Sequence, residues 1–332
     1  MNWGQLNSNS LNLFFPKLAP FEHPVALSGG NLNHVWRTLC AMGPTVVKRA
    51  PPYVASVPSI ALSRKRLLFE ARALKLYQSG PIAQSIVEPA RPPKLYGFSR
   101  RGWLLAEEDV GTGPDFSESN QGNALGLLTE LGKFIGRLHR DTFGSLTLRR
   151  RFRNLNVQEV RLSSQYSQIR EFARRSGASD ADALGRVATA LGQRWLRPGQ
   201  CLIMGDLWPQ SILIRPEGIR IIDWEFAHFG SPAQDVSHLV AHLALRHLDL
   251  KPFLVAYRDM LGKDFEKIWT PEVHRDAGVH FGSELLARIW GPFRSDQLAR
   301  ADLCMRALDA LRNPASCEAF AFLNPEQNER PR

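Results

Sequence analysis

Two acids in one short stretch, Asp206 and Asp223, are of the type and spacing to share a pocket. Asp206 follows an apolar run and a glycine, Cys201-Leu-Ile-Met-Gly205. Two strands are predicted after it, Ile212 to Ile214 and Ile219 to Ile222. The turn between them is Arg215-Pro216-Glu217-Gly218, where proline presets φ and glycine admits positive φ. A hairpin doubling back at this turn carries Asp223 and Glu225 towards Asp206. Two carboxylates brought that close call for a cation. The chemistry with that demand is phosphoryl transfer. Mg²⁺ binds one or two carboxylates together with substrate phosphates, while a separate aspartate orients a hydroxyl and takes its proton. On this reading Asp223 is the metal ligand and Asp206 the base. The bland alternative, a hairpin with surface acids, requires a glycine before one acid and a Trp-Glu after the other by coincidence.

Such a pair needs elements that bring phosphates to it. Val25 to Arg37 reads as strand, Gly-rich turn and strand, with Gly29 and Gly30 punctuating two apolar runs. Without Cβ atoms, backbone amides in that turn can approach phosphate oxygens. Thr45-Val46-Val47-Lys48 is a short β-branched run ending in an ammonium group, as a phosphate-binding strand requires. A buried lysine needs an acid partner. In a helix predicted at about 61–78, Leu67, Glu70, Ala71 and Leu74 share one face, so Glu70 points inward among apolar residues. An unpaired acid there is costly, and a Lys48–Glu70 pair is expected. Further on, Leu125, Leu128, Leu131, Ile135 and Leu138 form the apolar stripe of a core helix over 124–140. Residues 281–290 and 297–312 are helical by pattern.

With 332 residues, the chain is long for one core and suits two lobes. Its 44% hydrophobic and 22% charged residues are those of a globular protein. The net charge of +10 favours anionic ligands without choosing nucleotide over nucleic acid. Arg149-Arg-Arg-Phe-Arg153 is the strongest basic run. It lacks the aromatic interleaving or motif of a nucleic-acid site and reads as a solvated surface. The four cysteines, Cys40, Cys201, Cys304 and Cys317, contain no Cys-x-x-Cys pair, which argues against zinc and against a disulfide framework. His238 and His242 are four apart but lack the glutamate of a His-Glu-x-x-His site. No stretch approaches the ~20 apolar residues of a membrane span, and no basic n-region opens the chain. No membrane partner is expected, and the cytoplasm is the expected location.

The stretch from Gly205-Asp206 to Ile222-Asp223 resembles the catalytic loop and metal-binding segment of the aminoglycoside phosphotransferase and choline kinase-like superfamily. It departs from that pattern twice: Met204 stands where histidine is usual, and Ser211 where the metal-binding asparagine is usual. Gly205-Asp206-Leu207, Ser211-Ile212 and Asp223-Trp224-Glu225-Phe226-Ala227 are similar to the methylthioribose kinase branch. So are Gly30-Asn31-Leu32-Asn33 and Val46-Val47-Lys48 through Pro52-Tyr53-Val54. The resemblance, over residues 25–312, implies an α+β, two-lobed protein kinase-like fold, with a small β-rich N-lobe and a larger, mostly helical C-lobe. It implies ATP and Mg²⁺ as cofactors, with Glu225 and Ser211 beside Asp223 at the metal. It further implies adenine read by the backbone of Glu108 and Val110, and Asp235 bracing the catalytic loop. Glu284 to Gly291 resembles the segment that carries a substrate-binding arginine pair in that branch; only Arg288 matches, with Ala287 in the other place.

The expected organisation is an irregular segment over 1–24, an N-lobe over 25–110 and a C-lobe over 111–332. The expected activity is transfer of the ATP γ-phosphate to a hydroxyl of a small molecule, with a ribose-like sugar as one candidate. The alternative, prompted by Met204 and Ser211, is a kinase-like nucleotide-binding protein with little or no turnover.

Overall fold

The computed structural model describes residues 5–28, 32–80, 82, 90–111, 116, 121–292 and 300–324. Taken in chain order, its N-terminal part contains helix α1 (Ser8–Phe14) and strands β1 (Val25–Leu27), β2 (His34–Cys40), β3 (Gly43–Arg49), β4 (Tyr53–Val54) and β5 (Val57–Ala61). Helix α2 (Arg66–Ser79) and strands β6 (Ala90–Arg91), β7 (Leu95–Ser99) and β8 (Leu104–Glu108) follow. An antiparallel five-stranded sheet runs β1-β2-β3-β8-β7. Register decides which side chains reach the cleft: Val46 lies opposite Glu107 and Lys48 opposite Leu105. Since side chains alternate across a strand, Val46, Lys48, Leu105 and Glu107 share one face, and Val47, Leu104 and Ala106 the other. The second face is covered by Leu11, Phe15, Leu18 and Phe21.

That cover corrects the reading of residues 1–24 as irregular. Asn7 caps α1 by accepting from the Ser10 amide, and Leu11 is fully buried against the sheet. One helix of 7 residues is too short to show a clear period in sequence. Helix α2 begins later than expected because residues 57–61 pair as β5 against β4.

The larger part is mostly helical. It contains α3 (Gln121–Thr142), α4 (Leu146–Arg151), α5 (Leu155–Ser164), α6 (Ile169–Arg175) and α7 (Ala181–Arg194). Next come β9 (Cys201–Ile203), β10 (Ile212–Arg215), β11 (Gly218–Ile221) and β12 (His228–Gly230). The chain then forms α8 (Pro232–Ala244), α9 (Lys251–Leu261), α10 (Phe265–Ile268), α11 (Pro271–Trp290) and α12 (Arg300–Arg312). The predicted hairpin is β10–β11, with Ile212 opposite Ile221 and Arg215 opposite Gly218. β9 pairs with β12 and thereby brackets the Asp206 loop. Helices α3 and α9 approach closely at Gly132, where a Cβ would lie 2.4 Å from the Phe253 carbonyl oxygen. Trp224, fully buried, packs edge-on against Tyr77 of α2 and Phe134 of α3, with centroids 5.1 and 6.3 Å away. One aromatic cluster therefore locks the hairpin end to a helix of each lobe. Among the described residues, no helix is long and apolar enough to cross a membrane.

Candidate active site

Lys48 is almost wholly buried, and its Nζ touches three carboxylates. Glu70 Oε1 is 2.8 Å away, Glu107 Oε1 3.0 Å and Asp223 Oδ1 2.7 Å. The Lys48–Glu70 pair is the one predicted from the inward position of Glu70. Burial alone would lower the lysine's pKa, but the surrounding carboxylates, Asp223 foremost, outweigh it and hold it well above its usual value. Burial drives the acids the other way: Glu70 is raised despite Lys48, and Glu107 is raised to about 8. Glu70 Oε2 and Glu107 Oε2 have no hydrogen-bond partner among the described residues.

Asp223 reaches this lysine from the end of β11 through a left-handed backbone, with φ of 66°. An aspartate tolerates that region better than most residues. Its side chain is 43% exposed and opens on the cleft. A cavity of about 1100 Å³ is lined by Lys48, Glu107, Asp206, Asp223 and Glu225 together with Glu108 and Val110. The two acids singled out in the sequence thus share one cleft.

The three expected metal ligands do not converge as a set in this structure. Ser211 is fully buried, and its hydroxyl donates to the Trp208 carbonyl at 2.7 Å while accepting from the Trp208 amide at 3.2 Å. The serine closes its own turn. Glu225 is also committed: Oε1 accepts from Asn33 Nδ2 at 2.9 Å, and Oε2 lies 2.7 Å from Arg66 Nε, an ion pair off hydrogen-bond alignment. Burial raises the Glu225 pKa to about 7 against the pull of Arg66. Of the two acids among the three, Asp223 has the exposed carboxylate, 43% against 4% for Glu225. An exposed carboxylate beside a buried ammonium suits a metal-bound polyphosphate, so the residues present fit a nucleotide carrying a divalent cation.

Asp206 is held by its surroundings. Asp235, at the start of α8, accepts from the Met204 amide at 2.8 Å and the Gly205 amide at 2.7 Å. Gly205 has φ of 84°, and a Cβ there would lie 2.5 Å from the Phe226 carbonyl oxygen, so no larger residue fits. Met204 is fully buried in the core, packing where the family pattern has histidine. The Asp206 carboxylate accepts from Arg161 Nη2 at 2.8 Å. Burial raises its pKa, outweighing Arg161 and Arg288. Arg288 lines the same cavity, donates from Nε to Glu284 Oε1 at 2.7 Å and lies over the Trp208 ring.

At the end of β8, the Glu108 side chain is bound by Arg91 at 2.7 and 2.9 Å, and its amide donates to the Lys94 carbonyl at 2.8 Å. Arg37 pairs with Asp109 through both carboxylate oxygens. Gly29 and Gly30 lie outside the described residues. The basic run begins on the last turn of α4 and continues past it; Arg149, Arg150, Arg151 and Arg153 are exposed.

Sequence reasoning missed Glu107, Arg66, Arg161 and Glu284. The inward-position argument that found Glu70 also applies to Arg161, which stands one helical turn from the buried Val157 on α5. Arg66 opens α2 and carries no such pattern.

A β-rich lobe and a helical lobe enclosing a buried lysine–glutamate pair and two cleft aspartates make this a protein kinase-like fold. The chain belongs to the phosphotransferase enzyme family, whose profile matches residues 24–273. Methylthioribose kinase 2 of Oryza sativa subsp. japonica is 27% identical over 273 residues, covering 72% of this chain and 62% of its own length. Methylthioribose kinase of Geobacillus sp. (strain WCH70) is 26% identical over 257 residues, covering 70% of this chain and 62% of its own length. The chain therefore spans less than two thirds of the length of these curated relatives. The structure of choline kinase LicA from Streptococcus pneumoniae superposes with a TM-score of 0.53 at 14% identity, covering 92% of this chain and 98% of that one. That likeness is one of fold.

Proposed function

We propose that this protein transfers the γ-phosphoryl group of ATP to a hydroxyl of a small molecule, with a ribose-like sugar as the first acceptor class to consider. The observation that carries this reading is the convergence of Lys48, Glu70 and Asp223 in the cleft that also holds Asp206. In it, Lys48, oriented by Glu70, binds the phosphates, and the glycine turn at Gly29 and Gly30 covers them. The Glu108 amide is used by Lys94; the backbone at Glu108 and Val110 would read adenine. Asp223 is the residue that would hold Mg²⁺, which when bound screens the charge of the phosphate oxygens. Asp206 orients the acceptor hydroxyl and takes its proton, and a raised pKa makes its carboxylate a better base at neutral pH. Arg288 borders the acceptor. The lobes divide at 25–110 and 111–332. Buried free cysteines fit a reducing cytoplasm.

The methylthioribose kinase relatives support a sugar acceptor; the choline kinase neighbour supports the fold alone. The test is Mg²⁺-dependent ATP turnover against methylthioribose, other pentoses, amino alcohols and aminoglycosides. Asp206→Asn is expected to lower kcat by roughly 10²–10⁴-fold, the usual contribution of a general base, with little change in the KM for ATP. Absence of nucleotide binding by the unmodified protein would overturn the reading. Binding without turnover on any acceptor would favour a catalytically weak nucleotide-binding protein.

A further inference from the structure

The Asp206 carboxylate is gripped by a cation from outside its own loop. Arg161 of α5 is 7% exposed, and its Nη2 donates both to Asp206 Oδ1 and to the Gly205 carbonyl, each at 2.8 Å. Its Nη1 lies 3.3 Å from His238 Nδ1. A guanidinium only donates, so His238 Nδ1 accepts and the ring proton belongs on Nε2. That nitrogen has no aligned hydrogen bond and lies 3.4 Å from the same Asp206 oxygen, Oδ1. Among the described residues, Arg161 and His238 thus both approach the same oxygen of the carboxylate, whose side chain is 27% exposed to the cleft.

A second polar network lies behind His238. Glu284 Oε2 accepts from Gln165 Nε2 at 2.8 Å and lies 3.5 Å from His238 Nδ1, while Oε1 accepts from Arg288 Nε at 2.7 Å. The ligand atoms of His238, His242 and Glu284 lie within 4.8 Å of one another, as in a metal site. Here Arg161 and Arg288 already donate to His238 and Glu284, so the protein supplies its own cations.

We propose that Arg161 is the positioning residue of Asp206: by tying Oδ1 to the Gly205 carbonyl it fixes the rotation of the carboxylate, so that Oδ2 is the oxygen presented to an acceptor hydroxyl, with His238 as the second support of Oδ1. This rests on Asp206 acting as the base. Arg161 works through Asp206, and a lysine, as a point charge, keeps the cation but loses the fork. A misplacement near 1 Å at a reacting group costs on the order of 10²-fold in rate. Arg161→Lys and Arg161→Met are therefore expected to lower kcat, the second more, while the KM for ATP holds.

A second readout does not depend on turnover. The charged groups facing Asp206 are Arg161 from α5, His238 from α8, and Glu284 and Arg288 from α11. In protein carrying ¹³C at the aspartate carboxyls, with Asp206→Asn identifying the resonance, the Asp206 titration midpoint should rise in Arg161→Met and stay near the unmodified value in Arg161→Lys. If Arg161→Met does not fold, Arg161→Gln replaces it. An unchanged midpoint in the neutral variant overturns the proposal even if no acceptor is found. Unimpaired kcat in Arg161→Lys and the neutral variant together does the same. A shifted midpoint with no turnover in the unmodified protein would sustain the Arg161 contact and sink the kinase reading instead.

Discussion

Arg66 and Glu225 face each other at 2.7 Å in the interior, one opening the helix that carries Glu70, the other two residues past Asp223. Arg66 is fully buried, and its guanidinium also donates to the carbonyls of Leu32, Pro51 and Ser63. Through it, Glu225 joins Leu32 and the start of α2 to the hairpin end. The acid next to the expected metal ligand therefore serves as a strut between lobes.

A strut and a ligand respond differently to mutation. Glu225→Ala strands a buried guanidinium and is expected to cost about 3–5 kcal/mol of stability, as when one member of a buried ion pair is removed. Glu225→Gln keeps the shape and should leave Mg²⁺-dependent nucleotide affinity within about threefold, under 1 kcal/mol. Asp223→Asn should lower that affinity by at least about tenfold, or 1.4 kcal/mol, with a smaller effect on stability because its carboxylate is partly solvated. Calorimetric titration of nucleotide with and without Mg²⁺ separates the two. Equal losses in both variants would mean that Glu225 leaves Arg66 for the metal.

Glu107 gives the site a pH signature. Burial raises its folded pKa to about 8 from an ordinary 4.5. Between those values the folded state holds a proton that the unfolded state has released, so stability falls as pH rises through that window and levels off above it. Glu107→Gln cannot ionise and escapes this loss. Its Tm relative to the unmodified protein should therefore be higher at pH 9 than at pH 5.5, by a few degrees, since each 1 kcal/mol moves a chain of this size by roughly 2–4 °C or less. A Tm difference that is flat or falls with pH would show that Lys48 keeps Glu107 ionised throughout.

What could be read in advance followed from patterns that are local in sequence. The β10–β11 hairpin announced itself through Pro216 and Gly218 between isoleucine runs, and Glu70 through its place on an apolar helical face. Helix α1 was not legible, because its 7 residues hold a single fully buried side chain, Leu11, and its role exists only against a distant sheet. Glu225 looked like a ligand beside Asp223 until Asn33 and Arg66 claimed both its oxygens. Ser211 likewise has a ligand's place in the sequence pattern, whereas its hydroxyl is consumed by Trp208. Partnerships between charged groups far apart in the chain have no period or spacing for a single sequence to display.

Asp235 shows how such a partnership carries the catalytic loop. Its two oxygens accept from consecutive amides, Met204 at 2.8 Å and Gly205 at 2.7 Å, and Oδ2 also lies 3.3 Å from His139 Nε2. His139 is itself hydrogen-bonded through Nδ1 to the Tyr257 hydroxyl at 2.9 Å. All of these groups are buried, so water cannot replace the carboxylate. Asp235→Ala leaves two buried N–H groups unpaired, at about 1–3 kcal/mol each. Asp235→Asn retains one acceptor oxygen and should lose about half as much. Because the Gly205 amide that makes one of these bonds directly precedes Asp206, the carboxylate of Asp206 should shift in both variants. Chemical denaturation should order the proteins as unmodified, Asp235→Asn, Asp235→Ala in falling stability. In Asp235→Asn, kcat should drop while the KM for ATP holds, since Lys48 and Glu70 make no contact with this brace. Stability unchanged in Asp235→Ala would mean that the loop is held by the β9–β12 pair and the packing of Met204 alone.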